Sequence, residues 1–212
     1  MDLKNLQIDT IEKFLKNRIP HPQGIRIQNS VMILLLKNND IFHILYTQRA
    51  LSLSHQPGDI CFPGGKKEGN ETPLETALRE TEEELNIPKN KIHVLGQTDY
   101  IITNYGSIIY PFVGYIENIQ IETIAFNKEE VEKVFSVPLS FFDKTSPKTH
   151  YIYFRPDIPE DFPYELIMGG KNYPFSTPKI MELFYEYDGN IIWGLTARIT
   201  QHVLKLIEQT IA

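Results

Sequence analysis

Glu80, Glu83 and Glu84 stand three and four residues apart in the run Arg79-Glu80-Thr81-Glu82-Glu83-Glu84. On a helix this spacing puts their carboxylates on one face, where like charges cost an isolated helix roughly a few tenths of a kcal/mol per pair. Near a helix C-terminus the macrodipole disfavours anions as well. A helix with a purely structural duty would gain by placing lysine there, so a solvated acidic face, the bland alternative, is an expensive one. Clustered carboxylates suit Mg²⁺ or Mn²⁺, which prefer oxygen ligands and keep coordination positions for water and phosphate. Immediately upstream, Gly64-Gly65 lets bare backbone approach a metal or a phosphate group. Arg79 interrupts the acids and can clamp Glu75 or Glu83, four residues away on either side.

The glutamates need a helix, and three local signals start one. Thr72 can cap, Pro73 suits the first helical position and Glu75 completes a capping box. Leu74, Ala77, Leu78, Thr81 and Leu85 form the inward stripe, and Asn86-Ile87-Pro88 ends the helix. Before it, Val31–Leu36 and Ile41–Tyr46 flank a turn cluster and read as a hairpin. After it come a short strand at Lys91–Leu95, a stronger one at Ile108–Ile116 and a short helix over Glu129–Phe135. Residues 141–190 are rich in Tyr, Phe and Pro without periodicity, and read as an ordered excursion over the core. They are candidates for a pocket wall or a homodimer interface. Thr196–Ile211 reads as a closing amphipathic helix with Ile199, Val203, Leu206, Ile207 and Ile211 inward. Residues 1–24 read as a helical extension, its apolar positions docked on the domain and Pro20 and Pro22 ending it. Strands mixed with helices, without a regular βαβ period, indicate a single α/β (α+β) domain over 1–212.

The bulk numbers fit this reading. The 212 residues are 42% hydrophobic and 23% charged, with 21 Lys+Arg against 27 Asp+Glu, enough for one core and too apolar for a disordered chain. The net charge of −6 argues against binding nucleic acid through its phosphates. The nine positions Ile108–Ile116 are about half a membrane span, and no apolar run resembles a secretory leader, so no membrane partner is expected. The single Cys61 cannot pair within the chain, which fits a reducing cytoplasm. It sits among apolar residues and reads as a structural thiol, and Trp193 reads as core. The six histidines lack ligand spacing, which argues against zinc. A P-loop fails because Ile60 stands where its first glycine belongs.

Gly65, five residues, Glu71, seven residues and Arg79-Glu80-Thr81-Glu82-Glu83-Glu84-Leu85-Asn86-Ile87 together resemble the Nudix box, G-x5-E-x7-REUxEExGU, over 65–87. Thr81 stands where that pattern has an aliphatic residue and Asn86 where it has glycine. The stretch Arg49 to Lys66 is further similar to the extended signature of the coenzyme A pyrophosphatase branch, TxRSxxLxxHxGxVxFPGG, with His55 one position early and Gln56 in its place. Similarity resumes at Tyr110–Gly114, at Glu130-Val131 through Leu139, and at Ile192–Ala197.

The resemblance implies a Nudix fold, a mixed β-sheet sandwiched between helices. It implies hydrolysis of the diphosphate of coenzyme A or an acyl-CoA to 3′,5′-ADP and (acyl-)4′-phosphopantetheine, with Mg²⁺ or Mn²⁺. Metal would be held by Glu80 and Glu84, with Glu83 a further candidate. Glu83 or Glu130 would take the proton of the attacking water. Arg49, Gly64, Gly65 and Lys66 would meet the substrate, and Glu71 would serve as a structural partner of Arg79. A hydrolase of ADP-ribose or another nucleoside diphosphate derivative is the alternative within the family. A non-catalytic binding module is the alternative outside catalysis.

Overall fold

The computed structural model describes residues 7–210 apart from 39 and 105. In chain order its elements are α1 (Ile8–Asn17), β1 (Ile27–Asn38), β2 (Ile41–Arg49), β3 (Ile60–Cys61), β4 (Gly64–Lys66), α2 (Pro73–Leu85), β5 (His93–Gln97), β6 (Ile101–Ile102), β7 (Ser107–Ile116), β8 (Val131–Pro138), α3 (Leu139–Lys144), β9 (Lys148–Tyr153), β10 (Lys179–Tyr187), β11 (Asn190–Trp193) and α4 (Gly194–Glu208).

Among the described residues, eight strands form one mixed sheet with the path β3-β2-β1-β7-β5. The β1–β2 hairpin is antiparallel, β1 runs parallel to β7, and β4 lies along the first half of β1 with Val31 opposite Gly64. Strand β1 is buried on both faces because its side chains alternate. Met32, Leu34 and Leu36 join Ala77, Leu85 and Phe112 on one side, while Ile33 and Leu35 join Ile199, Val203 and Leu183 on the other. The sheet is thus covered by α2 on one face, and by α4 and a second sheet on the other. This is the mixed sheet between helices that the sequence leads one to expect.

The second sheet, β11-β10-β9, is built from the excursion that showed no periodicity. Its strands pair Met181 with Tyr151 and Phe184 with Lys148, so its order depends on partners about thirty residues apart. The helix expected over Glu129–Phe135 is a turn followed by β8, antiparallel to β2 with Phe135 opposite Tyr46. Val131, Val134 and Phe135 have helix-like spacing by coincidence. Their β-branched and aromatic side chains suit a strand, and the unpaired edge of β2 recruits them.

The N-terminal helix forms over part of its expected range, Ile8–Asn17, but buries no residue, and Ile8, Phe14 and Leu15 are exposed. Docking of that stripe on the domain is therefore not what the structure has. Leu3 and Leu6 lie outside the described residues, as does Ile211. Trp193 is also not core, being 37% exposed beside Phe184. Among the described residues no helix is long and apolar enough to cross a membrane.

Candidate active site

Helix α2 forms as its local signals dictate. The Thr72 hydroxyl accepts from the Glu75 backbone N–H, the Glu75 carboxylate accepts from the Thr72 N–H at 2.7 Å, and Pro73 opens the helix. At the other end Asn86 adopts the left-handed conformation, φ 51° and ψ 29°, as a C-terminal cap requires. Thr81 is fully buried, and its hydroxyl donates to the Ala77 carbonyl at 2.6 Å. Its polar atom is satisfied within the helix while the methyl packs.

Strand β4 lies against this helix, and both glycines are there for space. A Cβ on Gly64 would overlap the Ser30 carbonyl oxygen, and one on Gly65 would overlap the Glu80 carboxylate. The Gly64 N–H donates to Glu84 Oε1 at 3.4 Å. Bare backbone and two helix carboxylates therefore share one small volume.

Arg79 organises the acids around it. Its Nε donates to Glu71 at 2.7 Å, Nη1 to Glu83 at 2.9 Å, and Nη2 reaches Glu80 at 2.9 Å and the Lys66 carbonyl at 3.1 Å. The Arg79 hydrogen bonds, with a further one from the Glu68 N–H, hold the Glu71 carboxyl down at about 2. Glu75 is committed to the cap and is no partner of Arg79.

Glu84 has the opposite surroundings. It is buried, the weak bond from Gly64 is its one hydrogen bond among the described residues, and burial pushes its carboxyl up to about 8. The negative charges of Glu130 and Glu80 add to the shift, and Arg49 opposes it. Glu80 is raised too, by burial first, against the Arg79 guanidinium and with the charges of Glu83 and Glu130 adding.

Glu130 reaches this cluster from a turn fixed on both sides. The Asn127 N–H donates to the Glu84 carbonyl at 2.8 Å, the Glu130 N–H to the Asn127 carbonyl at 3.1 Å, and the Ala50 N–H to the Glu130 carbonyl at 2.9 Å. The Asn86 side-chain amide donates to the Ala125 carbonyl at 3.0 Å. The asparagine that replaces the usual glycine thus caps the helix and ties it to the loop carrying Glu130. Sequence reading missed this role, because the partner is 39 residues away and leaves no local pattern.

The structure therefore brings Glu80 and Glu84 against Gly65 and Gly64, with the Glu130 charge acting on both, and turns Glu83 onto Arg79. Arg49 faces the same region, but its Nε and Nη2 donate to the His55 carbonyl at 3.2 and 3.1 Å. It braces the 50–59 loop, and the backbone rather than the ring of His55 is what it holds. The Lys66 side chain is exposed while its carbonyl is held by Arg79. The Cys61 thiol is pushed up to about 11 by burial, beside the Thr47 hydroxyl.

Among the described residues, no group of three or more His, Cys, Asp or Glu side chains is placed to hold a metal ion. The donor set nonetheless fits Mg²⁺ or Mn²⁺. Glu84 is desolvated, feels the Glu80 and Glu130 charges and has no ion-pair partner among the described residues, while Glu80 shares Arg79 with Glu71 and Glu83, so a divalent cation would supply the missing counter-charge. Such ions are commonly bound by one or two carboxylates, with water and phosphate completing the shell.

The chain is similar to several known proteins. The chain is 33% identical over 155 residues to Nudix hydrolase 3 of Caenorhabditis elegans, covering 68% of this chain and 65% of that protein. It is 32% identical over 124 residues to the peroxisomal coenzyme A diphosphatase NUDT7 of Mus musculus, covering 58% and 50%. To the uncharacterized Nudix hydrolase NudL of Yersinia enterocolitica it is 34% identical over 166 residues, covering 77% and 73%. The matched region thus spans less than two thirds of the nematode protein and half of the mouse protein. The family model for the NUDIX domain matches residues 26–155, from the start of β1 to just past β9, and on this evidence the chain belongs to the Nudix family.

Proposed function

We propose that the chain hydrolyses the diphosphate of coenzyme A or an acyl-CoA, releasing 3′,5′-ADP and 4′-phosphopantetheine or its acylated form. The observation that carries the chemistry is the packing of the Glu80 and Glu84 carboxylates against the Gly64-Gly65 backbone, with Glu84 buried and without an ion-pair partner among the described residues. The substrate class is supported by the Arg49–Lys66 signature and by the similarity to the mouse coenzyme A diphosphatase.

Glu80 and Glu84 would hold Mg²⁺ or Mn²⁺, which supplies charge neutralisation for the diphosphate and acidifies a bound water. Glu130 takes the proton of the attacking water. It is exposed at the cluster's edge and held by its backbone, whereas Glu83 is engaged by Arg79. Water oxygen adds to one phosphorus, the bridging P–O bond breaks, and two phosphate monoesters leave. Arg79 keeps Glu80 in place, and the Gly64 N–H orients Glu84. Arg49 and Lys66 complete the phosphate contacts, with Arg49 offering its remaining amino group.

The single cysteine, which cannot pair within the chain, is consistent with action in a reducing compartment such as the cytoplasm. The decisive experiment incubates the purified protein with CoA and Mg²⁺ and separates the products. Formation of 3′,5′-ADP supports the assignment, and its absence at micromolar enzyme overturns it. A higher kcat/KM for ADP-ribose than for CoA would reassign the substrate.

A further inference from the structure

A cavity of about 400 Å³ lies at the seam of the two sheets, lined by Gln48, Asp59, Ile60, Phe184, Ile191 and Trp193 among others. Trp193 is the chain's one tryptophan, and at 37% exposed it stacks on Phe184 with 5.7 Å between centroids and 12° between planes. Leaving an indole this exposed forfeits much of its burial energy, so its position calls for a reason beyond packing. The polar groups of the cavity are also unspent. Gln48 donates its Nε2 to the Gly58 carbonyl at 3.2 Å, which leaves its Oε1 free to accept. Among the described residues, neither the Asp59 carboxylate nor the Trp193 indole N–H has a hydrogen-bond partner. The wall is therefore a planar aromatic platform beside two acceptors and one donor.

The cavity is wired to the site above. The Arg49 N–H donates to the Asp59 carbonyl at 2.9 Å, and the Gly58 N–H donates to the Arg49 carbonyl at 3.1 Å. Gln48 and Arg49 are consecutive residues at a register shift in the pairing of β2 with β8. Arg49 looks toward Glu84 and Gln48 looks into the cavity.

We propose that this cavity is the subsite for the planar nitrogen base of the substrate, the base stacking on Trp193 and donating its amino hydrogens to Asp59 and Gln48. The unpaired Asp59 repels phosphate, so this wall selects the base end of the molecule rather than its phosphates. The identity of the base as adenine rests on the proposed function, whereas the aromatic subsite itself does not.

Trp193 also reports on its own occupancy. Titrating the metal-free protein with 5′-AMP or 3′,5′-ADP should quench the tryptophan fluorescence saturably, while 4′-phosphopantetheine should leave it unchanged. Trp193→Ala should raise the KM for CoA about tenfold or more, with kcat within about twofold. Trp193→Phe, which keeps a platform and the fold, should restore KM to within about threefold. Quenching by 4′-phosphopantetheine in place of the nucleotides overturns the proposal, as does an unchanged KM in Trp193→Ala while CoA is still hydrolysed. Quenching by 5′-AMP in a protein that does not cleave CoA supports the subsite and sinks the CoA assignment alone.

Discussion

Gly65 and Glu80 are in such close contact that the volume of one methyl group on Gly65 is already taken by the Glu80 carboxylate. The glycine is kept for room, since its backbone is not in a left-handed conformation. The obstructing atoms are the tip of a flexible side chain, so the chain can yield without unfolding. Gly65→Ala should therefore fold with a Tm within a few degrees of wild type and displace the Glu80 carboxylate. Mg²⁺ affinity, measured by calorimetry, and turnover should each fall roughly 10–100-fold, the range seen when the support of a metal ligand is lost.

The two ends of the acidic cluster respond to pH in opposite directions. Glu71, held at about 2 against an ordinary 4.5, stabilises the native state above pH 4.5, and that contribution is lost as pH falls toward 2. Glu84, raised to about 8 from 4.5, keeps a proton in the native state that the unfolded chain releases. Without metal, its contribution is intact below pH 4.5 and declines as pH rises to 8. Chemical denaturation across pH 5–8 should show this decline in the metal-free protein, and saturating Mg²⁺ should flatten it. Glu84→Gln should remove most of the decline, leaving the part due to Glu80, and most of the Mg²⁺ response, and at pH 8 should be more stable than metal-free wild type by about 1 kcal/mol or more, roughly 2–4 °C in Tm.

Asn86 has two duties that substitution separates. Asn86→Gly keeps the left-handed cap but loses the amide bond to Ala125, so the Tm should hold while kcat drops several-fold as the Glu130 turn loosens. Asn86→Ala puts at φ 51° a residue without the polar side chain that lets asparagine tolerate the left-handed region, and should cost about 1 kcal/mol in stability besides. Equal kcat values for Asn86→Gly and wild type would show that the tie to Ala125 does not position Glu130.

Cys61 is a packing residue. With its thiol pushed up to about 11, it should react with a thiol-specific disulfide reagent far more slowly in the native protein than after unfolding. Cys61→Ala should leave kcat and KM for CoA unchanged within about twofold.

The sequence by itself determined whatever is local. The Thr72–Glu75 box, Pro73 and Asn86 fix helix α2 nearly to the residue, because each cap bond joins groups within four positions. The spacing of Glu80 and Glu84 on that helix follows from its 3.6-residue turn. The β1–β2 hairpin was legible for the same reason, its partners being joined by a short turn.

Tertiary structure decided the rest. Strand β8 has the spacing of a helix, and pairing with β2 overrides it. The second sheet depends on pairing across about thirty residues and left no periodic trace. The difference between Glu83 and Glu84 was also invisible, since adjacent identical residues acquire distinct chemistry only from what packs on them. Arg79 holds one in the open, while the sheet buries the other beneath Gly64. Local hydrogen bonds are written in neighbouring residues, but desolvation is a property of the whole packed molecule. It is desolvation that sets Glu84 apart from Glu83.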